Sequence, residues 1–177
     1  MTIYWGDGTN TATHPSGGKI LQVKSTTKKD TQVHSGTTHT LISGLTVSIT
    51  PASSSNKILI VYNVSMGSSG AAYVEMRIAR GSLDDINIGD ANNSNQRCTH
   101  YRYFDNYYST TDYSNVDTYP FAGSYLDSPN TTSATTYGIY FANTSGSYSM
   151  IINSTWLSNA AYYGTSTSTI TAMEIAA

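Results

Sequence analysis

The feature that most constrains the fold is the recurrence of turn-forming clusters between segments that show no helical period. The clearest clusters are residues 67–70 (Gly-Ser-Ser-Gly), 128–130 (Ser-Pro-Asn) and 143–146 (Asn-Thr-Ser-Gly). Glycine, proline, serine and asparagine each favour turns for a separate stereochemical reason. The segments between the clusters show no sustained helical apolar period with caps. A chain of this kind is predicted to fold from many short β-strands.

Residues 73–80 show the strand period most clearly. Val74, Met76 and Ile78 occupy alternate positions, which places them on one face of a strand. The opposite face would carry Tyr73, Glu75, Arg77 and Ala79. The same reasoning predicts nine or ten strands, over residues 19–24, 39–50, 57–66, 73–80, 87–90, 98–104, 118–127, 135–143, 148–153 and 168–175.

Length and composition narrow the class of protein. The chain has 177 residues, which is enough for one well-buried core and short for two. Charged residues make up 11% of it, and a net charge of −2 leaves no basic footprint for nucleic acid. The 15 tyrosines, with many Thr, Val and Ile residues, favour strands and argue against disorder. We therefore predict an all-β, single-domain antiparallel β-sandwich in residues 19–177, preceded by an N-terminal arm in residues 1–18.

Further details of the sandwich follow from local patterns. Many short strands with frequent turns favour a jelly roll. Residues 57–66 form a nearly continuous apolar run, which is typical of a strand covered on both faces. Gly44 predicts a bulge or bend in its strand. The turn at residues 143–146 predicts a hairpin between strands 135–143 and 148–153.

Four blocks of the sequence carry a family resemblance. They are residues 18–23 (Gly-Lys-Ile-Leu-Gln-Val), 44–51 with 55–59, 125–141, and 168–175. In this order they resemble fibre-like domains in virion proteins of tailed bacteriophages, especially marine and cyanobacterial ones. The resemblance implies a non-enzymatic structural protein located in the virion. The resemblance is more informative about the fold than about a functional site, because the blocks are mostly strands and turns.

The N-terminal arm carries three large apolar residues, Ile3, Tyr4 and Trp5, that have nothing local to pack against. Exposed apolar residues often mark contact sites, so the arm is predicted to dock on other virion proteins. The alternative is a strand that packs on its own domain. The arm lacks a signal-peptide pattern, and no stretch of the chain is apolar enough for a membrane helix. We expect synthesis in the host cytoplasm and no membrane insertion.

Residues 101–114 are rich in Tyr, Ser, Asn and Asp, which is the composition of antibody paratopes. Tyrosine offers a large ring for stacking and a hydroxyl for hydrogen bonding, and both suit sugars. The predicted receptor-binding residues, directed at a host cell-surface glycan, are Tyr101, Tyr103, Tyr107, Tyr108 and Tyr113. The alternative is that these rings pack between subunits.

The last predicted strand, residues 168–175, alternates cleanly and ends almost at the C-terminus. A strand of this kind is expected to be central in its sheet. In trimeric jelly rolls of the tumour-necrosis-factor type, such a strand lies near the threefold axis. This fold analogy motivates the expectation of a homotrimer.

Patterns for metal, cofactor or catalytic chemistry are weak. The four histidines have no metal-ligand spacing with one another or with Cys98. Asp84, Asp85 and Asp90 form the densest group of oxygen ligands, but their spacing does not match a calcium-binding loop, and a polar turn is favoured. No phosphate-binding loop or nucleophile elbow appears. We therefore predict no metal ligand, no cofactor and no catalytic residue.

Three functions follow from these expectations. The favoured one is a surface-exposed fibre or spike subunit, of the tail-fibre type, that takes part in host attachment. The second is a capsid decoration (cement) or head-fibre protein that stabilises the head. The third, a glycan depolymerase, is least favoured, because a glycosidase needs two positioned carboxylates and nothing in the sequence favours such a pair.

Overall fold

A computed structural model describes residues 18–82, 84–104, 117–157, 161 and 163–177 of the chain. These residues form an all-β sandwich of two antiparallel sheets, which confirms the predicted fold class. They contain no helix, and hence none long and apolar enough to cross a membrane. The strands are β1 (Ile20–Lys28), β2 (Gln32–His34), β3 (Thr40–Ile49), β4 (Lys57–Ser68), β5 (Ala72–Arg80), β6 (Asp84–Asp85), β7 (His100–Phe104), β8 (Thr118–Asp127), β9 (Thr135–Asn143), β10 (Met150–Ile152) and β11 (Ser168–Ile175).

The first sheet is built around β4. One edge of β4 pairs with β8, from Ile58 opposite Asp127 to Gly67 opposite Thr118. Its other edge pairs with β11 over the first part of the strand and with β10 near the end. β1 then pairs with β11, and β2 pairs with β10. The sheet therefore has four positions across its width: β8, β4, β11 with β10, and β1 with β2.

The second sheet has the order β3, β9, β5. The free edge of β5 pairs first with β7 and, near its end, with β6. β9 lies between β3 and β5, while β10 belongs to the first sheet. The predicted hairpin between these two segments is therefore wrong, because the turn at residues 143–146 carries the chain from one sheet to the other.

The core lies between the two sheets and follows the strand alternation. Val74, Met76 and Ile78 are fully buried, as predicted. In β4, however, burial alternates, and Val61 is 38% exposed on the outer face. The prediction that residues 57–66 are covered on both faces is wrong. The apolar run includes outward-facing side chains that the described residues do not cover.

Two local predictions have opposite outcomes. The bulge at Gly44 is confirmed, because its φ is +73° and the pairing of β3 with β9 shifts register between Leu41 and Thr46. The short strand predicted at residues 87–90 is wrong. This segment folds back on the chain instead, with the Gly89 amide donating to the Cys98 carbonyl at 3.2 Å.

β11 is an inner strand of the first sheet, between β1 and β4, as predicted for the C-terminal strand. The buried carboxylate of Glu174 on this strand accepts hydrogen bonds from the side chains of Gln22 and Asn56 and from the Ala52 amide. Charge-assisted hydrogen bonds are among the strongest in proteins. They hold the last strand to β1 and to the segment that precedes β4.

Candidate ligand-binding site

The outer face of the second sheet carries a stack of three tyrosines, which we call the tyrosine stack: Tyr73, Tyr101 and Tyr103. Tyr73 on β5 lies directly opposite Tyr103 on β7, so the register brings their side chains to the same face. The ring centroid of Tyr73 lies 4.6 Å from that of Tyr103 and 6.3 Å from that of Tyr101. The three residues are 43%, 40% and 55% exposed, in the order Tyr73, Tyr103, Tyr101. They present ring surface to solvent.

Beside the stack lies the buried carboxylate of Glu75, which faces the same side of β5 as Tyr73 and is opposite Tyr101 in register. The side chain of Glu75 is 0% exposed. Within the described part of the chain, neither of its carboxylate oxygens accepts a hydrogen bond. A buried acceptor left in this state costs about 1–3 kcal/mol, and more when it is charged. Burial accordingly raises the pKa of Glu75, although the Arg77 guanidinium opposes the rise.

Two basic side chains lie near Glu75 without hydrogen bonding to it, and only Arg77 is charged at neutral pH. The distance from Glu75 Oε2 is 3.4 Å to His39 Nε2 and 3.8 Å to Arg77 Nη2. Arg77 is held elsewhere, since its Nη1 donates to Asp85 Oδ2 at 3.0 Å. Burial, and then the charge of Arg77, lower the pKa of His39. The neutral imidazole is therefore the main form at neutral pH, and it does not neutralise Glu75 there.

Glu75 is one of the residues that line a cavity of about 530 Å³, although its two carboxylate oxygens have almost no accessible surface. This volume is within the range of small-molecule sites, about 300–1,000 Å³. An exposed loop supplies amide and hydroxyl groups, Tyr101 supplies a ring, and Thr144 follows β9 on the opposite side. The lining residues are Glu75, Ser94, Asn95, Gln96, Tyr101 and Thr144. The cavity thus combines one buried acid, several neutral polar groups and one aromatic surface.

The structure brings together part of the predicted receptor-binding set. Tyr101 and Tyr103 lie side by side on β7 and are exposed. Tyr107, Tyr108 and Tyr113 lie outside the described residues, as do Ile3, Tyr4 and Trp5 of the N-terminal arm.

Sequence reasoning missed Tyr73 and Glu75 as members of the site. The alternation in residues 73–80 places both on one face of a strand. That signal could have indicated a shared surface. It contained no information on which strand would pair beside β5 or which loop would cover Glu75.

Of the aspartates considered for calcium, Asp85 and Asp90 belong to no metal-binding group among the described residues, and the side chain of Asp84 lies outside them. Asp85 forms an ion pair with Arg77, which occupies one of its carboxylate oxygens. Asp90 lies in an exposed segment away from any strand. Across the described ranges, no group of three or more His, Cys, Asp or Glu side chains is placed to hold a metal ion.

A second surface lies on the outer face of the first sheet. Strand register aligns four apolar side chains across its whole width, which we call the apolar row: Val23, Met173, Leu59 and Leu126. The next two rows in register are Ser25, Thr171, Val61 and Ser124, followed by Thr27, Thr169, Asn63 and Ala122. None of these twelve residues is charged. Depletion of charge is a mark of interface cores rather than of ordinary protein surface.

The fold and its surfaces define a β-sandwich protein with an aromatic and acidic pocket on one sheet and an uncharged face on the other. A scan of protein-family models found no match to this chain, and a search of curated proteins found no relative.

Proposed function

We propose that this chain is a non-enzymatic structural protein of a tailed-bacteriophage virion. In this proposal it forms a surface-exposed fibre or spike subunit that takes part in host attachment. The observation that carries the proposal is the exposed tyrosine stack, formed by Tyr73, Tyr101 and Tyr103. The resemblance of residues 18–23, 44–51 with 55–59, 125–141 and 168–175 to fibre-like virion domains supports the same proposal.

Ordered tyrosine rings bind a ligand at a low entropic cost. Tyrosine has only two side-chain torsions, so an ordered ring loses little entropy when it binds. The neighbouring rings restrict one another further, because the planes of Tyr73 and Tyr103 are inclined by 29° at a centroid distance of 4.6 Å. Such a surface offers the apolar face of a sugar ring a preorganised contact. A host cell-surface glycan is the ligand class that we assign to it.

The strand order supports a jelly roll within this proposal. When β1 and β2, β6 and β7, and β10 and β11 are each counted as one position, the eight positions read first-eighth-third-sixth in one sheet and second-seventh-fourth-fifth in the other. This is the arrangement of two interleaved Greek keys.

We further propose that the protein is a homotrimer in which the apolar row packs against a second copy of the chain. The apolar row and the two rows beside it carry no charge. Two copies can therefore meet there without like-charge repulsion and without burying an unpaired charge. The N-terminal arm, with Ile3, Tyr4 and Trp5, would attach the trimer to other virion proteins. Binding to nucleic acid is not part of this proposal.

Immunogold labelling of intact particles tests the place of the protein in the virion. Gold on the tail or its fibres is the expected result. Gold spread over the head would instead assign the alternative role of a capsid decoration or head-fibre protein. Absence of label from intact and from partly disrupted particles would contradict a virion protein of either kind.

Competition for adsorption tests host attachment. Purified protein should block adsorption of the phage to its host, and the double variant Tyr101→Ser/Tyr103→Ser should not. The matched control is Tyr125→Ser, which removes a half-buried tyrosine from β8 in the other sheet. Equal blocking by the double variant and the wild-type protein would show that the tyrosine stack has no part in attachment.

A further inference from the structure

We infer that His39 and Glu75 form a pH-sensitive latch on the outer face of the second sheet. While the imidazole of His39 is neutral, the two side chains lie close together without a hydrogen bond. When the imidazole takes up a proton, it closes on the Glu75 carboxylate as a hydrogen-bonded ion pair. Closing fastens residues 35–39, which carry the chain from β2 to β3, to β5. The inference goes beyond the proposed attachment function and does not depend on it.

The strand register brings the two side chains together over a small residue. Glu75 on β5 is opposite Ala142 on β9. On the other edge of β9, Thr40 is opposite Phe141, which brings His39 level with the same alanine. The methyl group of Ala142 leaves room for the two longer side chains to meet above it. His39 Nε2 lies 3.4 Å from Glu75 Oε2, and the side chains are 14% and 0% exposed, so water screens their interaction little.

The charges around this contact are unbalanced while His39 is neutral. Glu75 and Asp85 contribute two negative charges, and Arg77, which is 3.8 Å from Glu75 and 3.0 Å from Asp85, contributes one positive charge. One proton on His39 brings the sum to zero. Uncompensated charge is costly where water is excluded, so the cluster gains from taking up a proton as the pH falls.

Buried polar atoms without hydrogen bonds are concentrated in the same cluster. His39 Nε2, both carboxylate oxygens of Glu75, Arg77 Nε and Asp85 Oδ1 have almost no accessible surface and no hydrogen-bond partner among the described residues. Most buried polar groups in proteins have a partner. A small movement that joins His39 Nε2 to Glu75 Oε2 pairs two of these atoms at once. Protonation of His39 strengthens that bond, because hydrogen bonds between charged partners are stronger than neutral ones.

Neighbouring groups set the pH at which the latch closes. Burial, and then the charge of Arg77, oppose a proton on His39, whereas the Asp85 carboxylate favours it, and the pKa of His39 is lowered overall. The latch therefore closes below the ordinary histidine pKa of about 6.5. Among the described residues, the other titratable groups that face this cluster from β2, β7, β9 and the segment before β7 are His34, Tyr101, Tyr140 and Cys98.

Nuclear magnetic resonance of the full chain tests the pair without any substitution. The imidazole signals of His39 and the side-chain carboxyl carbon of Glu75 are followed from about pH 7.5 to about pH 4.5, a range that includes the ordinary pKa values of both residue types. We expect the Glu75 signal to change with the same midpoint as the His39 signals, because both groups respond to one proton. A Glu75 signal that does not change through the His39 titration would overturn the inference.

Glu75→Gln is the decisive variant, because glutamine keeps the shape of the side chain and removes the charge that attracts the proton. The midpoint of the His39 titration should fall by about one pH unit or more. The midpoint of His100, whose ring contacts Tyr62 and Phe121, should change far less. Asp90→Asn makes the same chemical change in an exposed segment and should leave both midpoints unchanged. An unchanged His39 midpoint in Glu75→Gln would refute the pair.

Hydrogen exchange measures whether the pair holds residues 35–39 in place. The Asn143 amide donates to the Gly36 carbonyl at 2.9 Å, so its exchange reports the opening of this segment. At about pH 5.5, below the ordinary histidine pKa, this amide should exchange several times more slowly in the wild-type protein than in Glu75→Gln, and at about pH 7.5 the two rates should be closer. The Gly81 amide, which donates to the Thr136 carbonyl, is the control for global opening. Equal Asn143 rates in the two proteins at the lower pH would overturn the latch, whether or not the protein blocks adsorption.

Discussion

At the scale of single residues, Glu75 and Glu174 are equally buried but have very different partners. Glu174 accepts three hydrogen bonds of 2.6 Å, from Gln22, Asn56 and the Ala52 amide. Burial alone would raise the pKa of Glu174, but these hydrogen bonds outweigh it and the pKa is lowered. The pKa of Glu75 is raised. One carboxylate is therefore a structural anchor, and the other is buried without a hydrogen-bond donor among the described residues.

We predict that Glu174→Gln and Glu75→Gln change stability differently. Glu174→Gln removes the charge that three donors share, and should lower the free energy of unfolding by about 1.5–3 kcal/mol. Glu75→Gln removes a charge that accepts no hydrogen bond from the described residues and has Arg77 at 3.8 Å, and should lower the free energy of unfolding by less than Glu174→Gln does. Urea denaturation at neutral pH measures both. The interpretation fails if Glu75→Gln destabilises the protein as much as Glu174→Gln does.

We predict that stability falls on acidification from about pH 7.5 to about pH 5.5, below the ordinary histidine pKa of about 6.5. Burial lowers the pKa of both His100 and His39 in the folded protein, so the unfolded chain binds more protons in this window. Glu75 gives the opposite slope, because its pKa is raised. Melting temperatures are therefore best compared in the Glu75→Gln background. In that background, adding His100→Gln should make the melting temperature depend less on pH. An unchanged slope of melting temperature against pH would contradict this account.

We predict that Gly123→Ala destabilises the protein by about 1–3 kcal/mol through overpacking. A β-carbon at Gly123 would lie 2.6 Å from the Tyr62 hydroxyl, which itself is hydrogen-bonded to His100 Nε2 at 2.7 Å. Gly164→Ala is the matched control, since a β-carbon there meets no atom within 4 Å. Thermal denaturation of the two variants compares them directly. Equal melting temperatures would mean that Tyr62 moves aside at no cost.

At the scale of elements, the site depends on the pairing of β5 with β7 and on the shape of β3. The pairing places Tyr73 opposite Tyr103 and Glu75 opposite Tyr101. The side chain of His39, just before β3, reaches Glu75 from the far side of β9. β3 accommodates this arrangement with a bulge at Gly44, where the φ of +73° suits glycine.

We predict that Gly44→Ala lowers the free energy of unfolding by about 1–2 kcal/mol, because a β-carbon disfavours positive φ. Gly44→Asn should lower it less, since asparagine tolerates this conformation best among residues with a side chain. No atom lies within 4 Å of a β-carbon at this position, so packing does not confuse the comparison. Chemical denaturation distinguishes the variants, and a larger loss for asparagine would contradict the strain argument.

At the scale of the whole molecule, the two sheets present different outer faces. The second sheet carries the tyrosine stack and the Glu75 cavity, while the first carries the uncharged rows around the apolar row. This asymmetry fits a protein that meets its own copies through one sheet and a ligand through the other.

We predict a trimeric mass for the wild-type protein in multi-angle light scattering. Val23→Glu, which places a charge in the apolar row, should dissociate it into folded monomers. Val33→Glu is a closely matched control, because Val33 has the same 52% exposure but lies on β2 at the other end of the sheet. A wild-type monomer, or a trimer that survives Val23→Glu unchanged, would contradict the proposed interface.

Sequence alternation alone was sufficient for much of the fold. The bounds of β8, β9 and β11 agree with prediction, as do the buried face of β5 and the bulge at Gly44. These features are local, since they depend on a two-residue period and on the conformational freedom of glycine. The apolar run in β4 was misleading, because composition does not reveal whether a second face is covered.

The sequence by itself determined that the chain is a tyrosine-rich, weakly charged β-sandwich. Only the tertiary structure decided that Tyr73 joins Tyr101 and Tyr103, and that Glu75 is buried without a hydrogen-bond donor among the described residues. The sequence predicts a hairpin between residues 135–143 and 148–153, whereas in the structure the chain passes from β9 to β10 in the other sheet. The physical reason is that strand pairing, sheet crossing and loop placement bring together residues far apart in the chain. A local sequence period carries no information about such contacts.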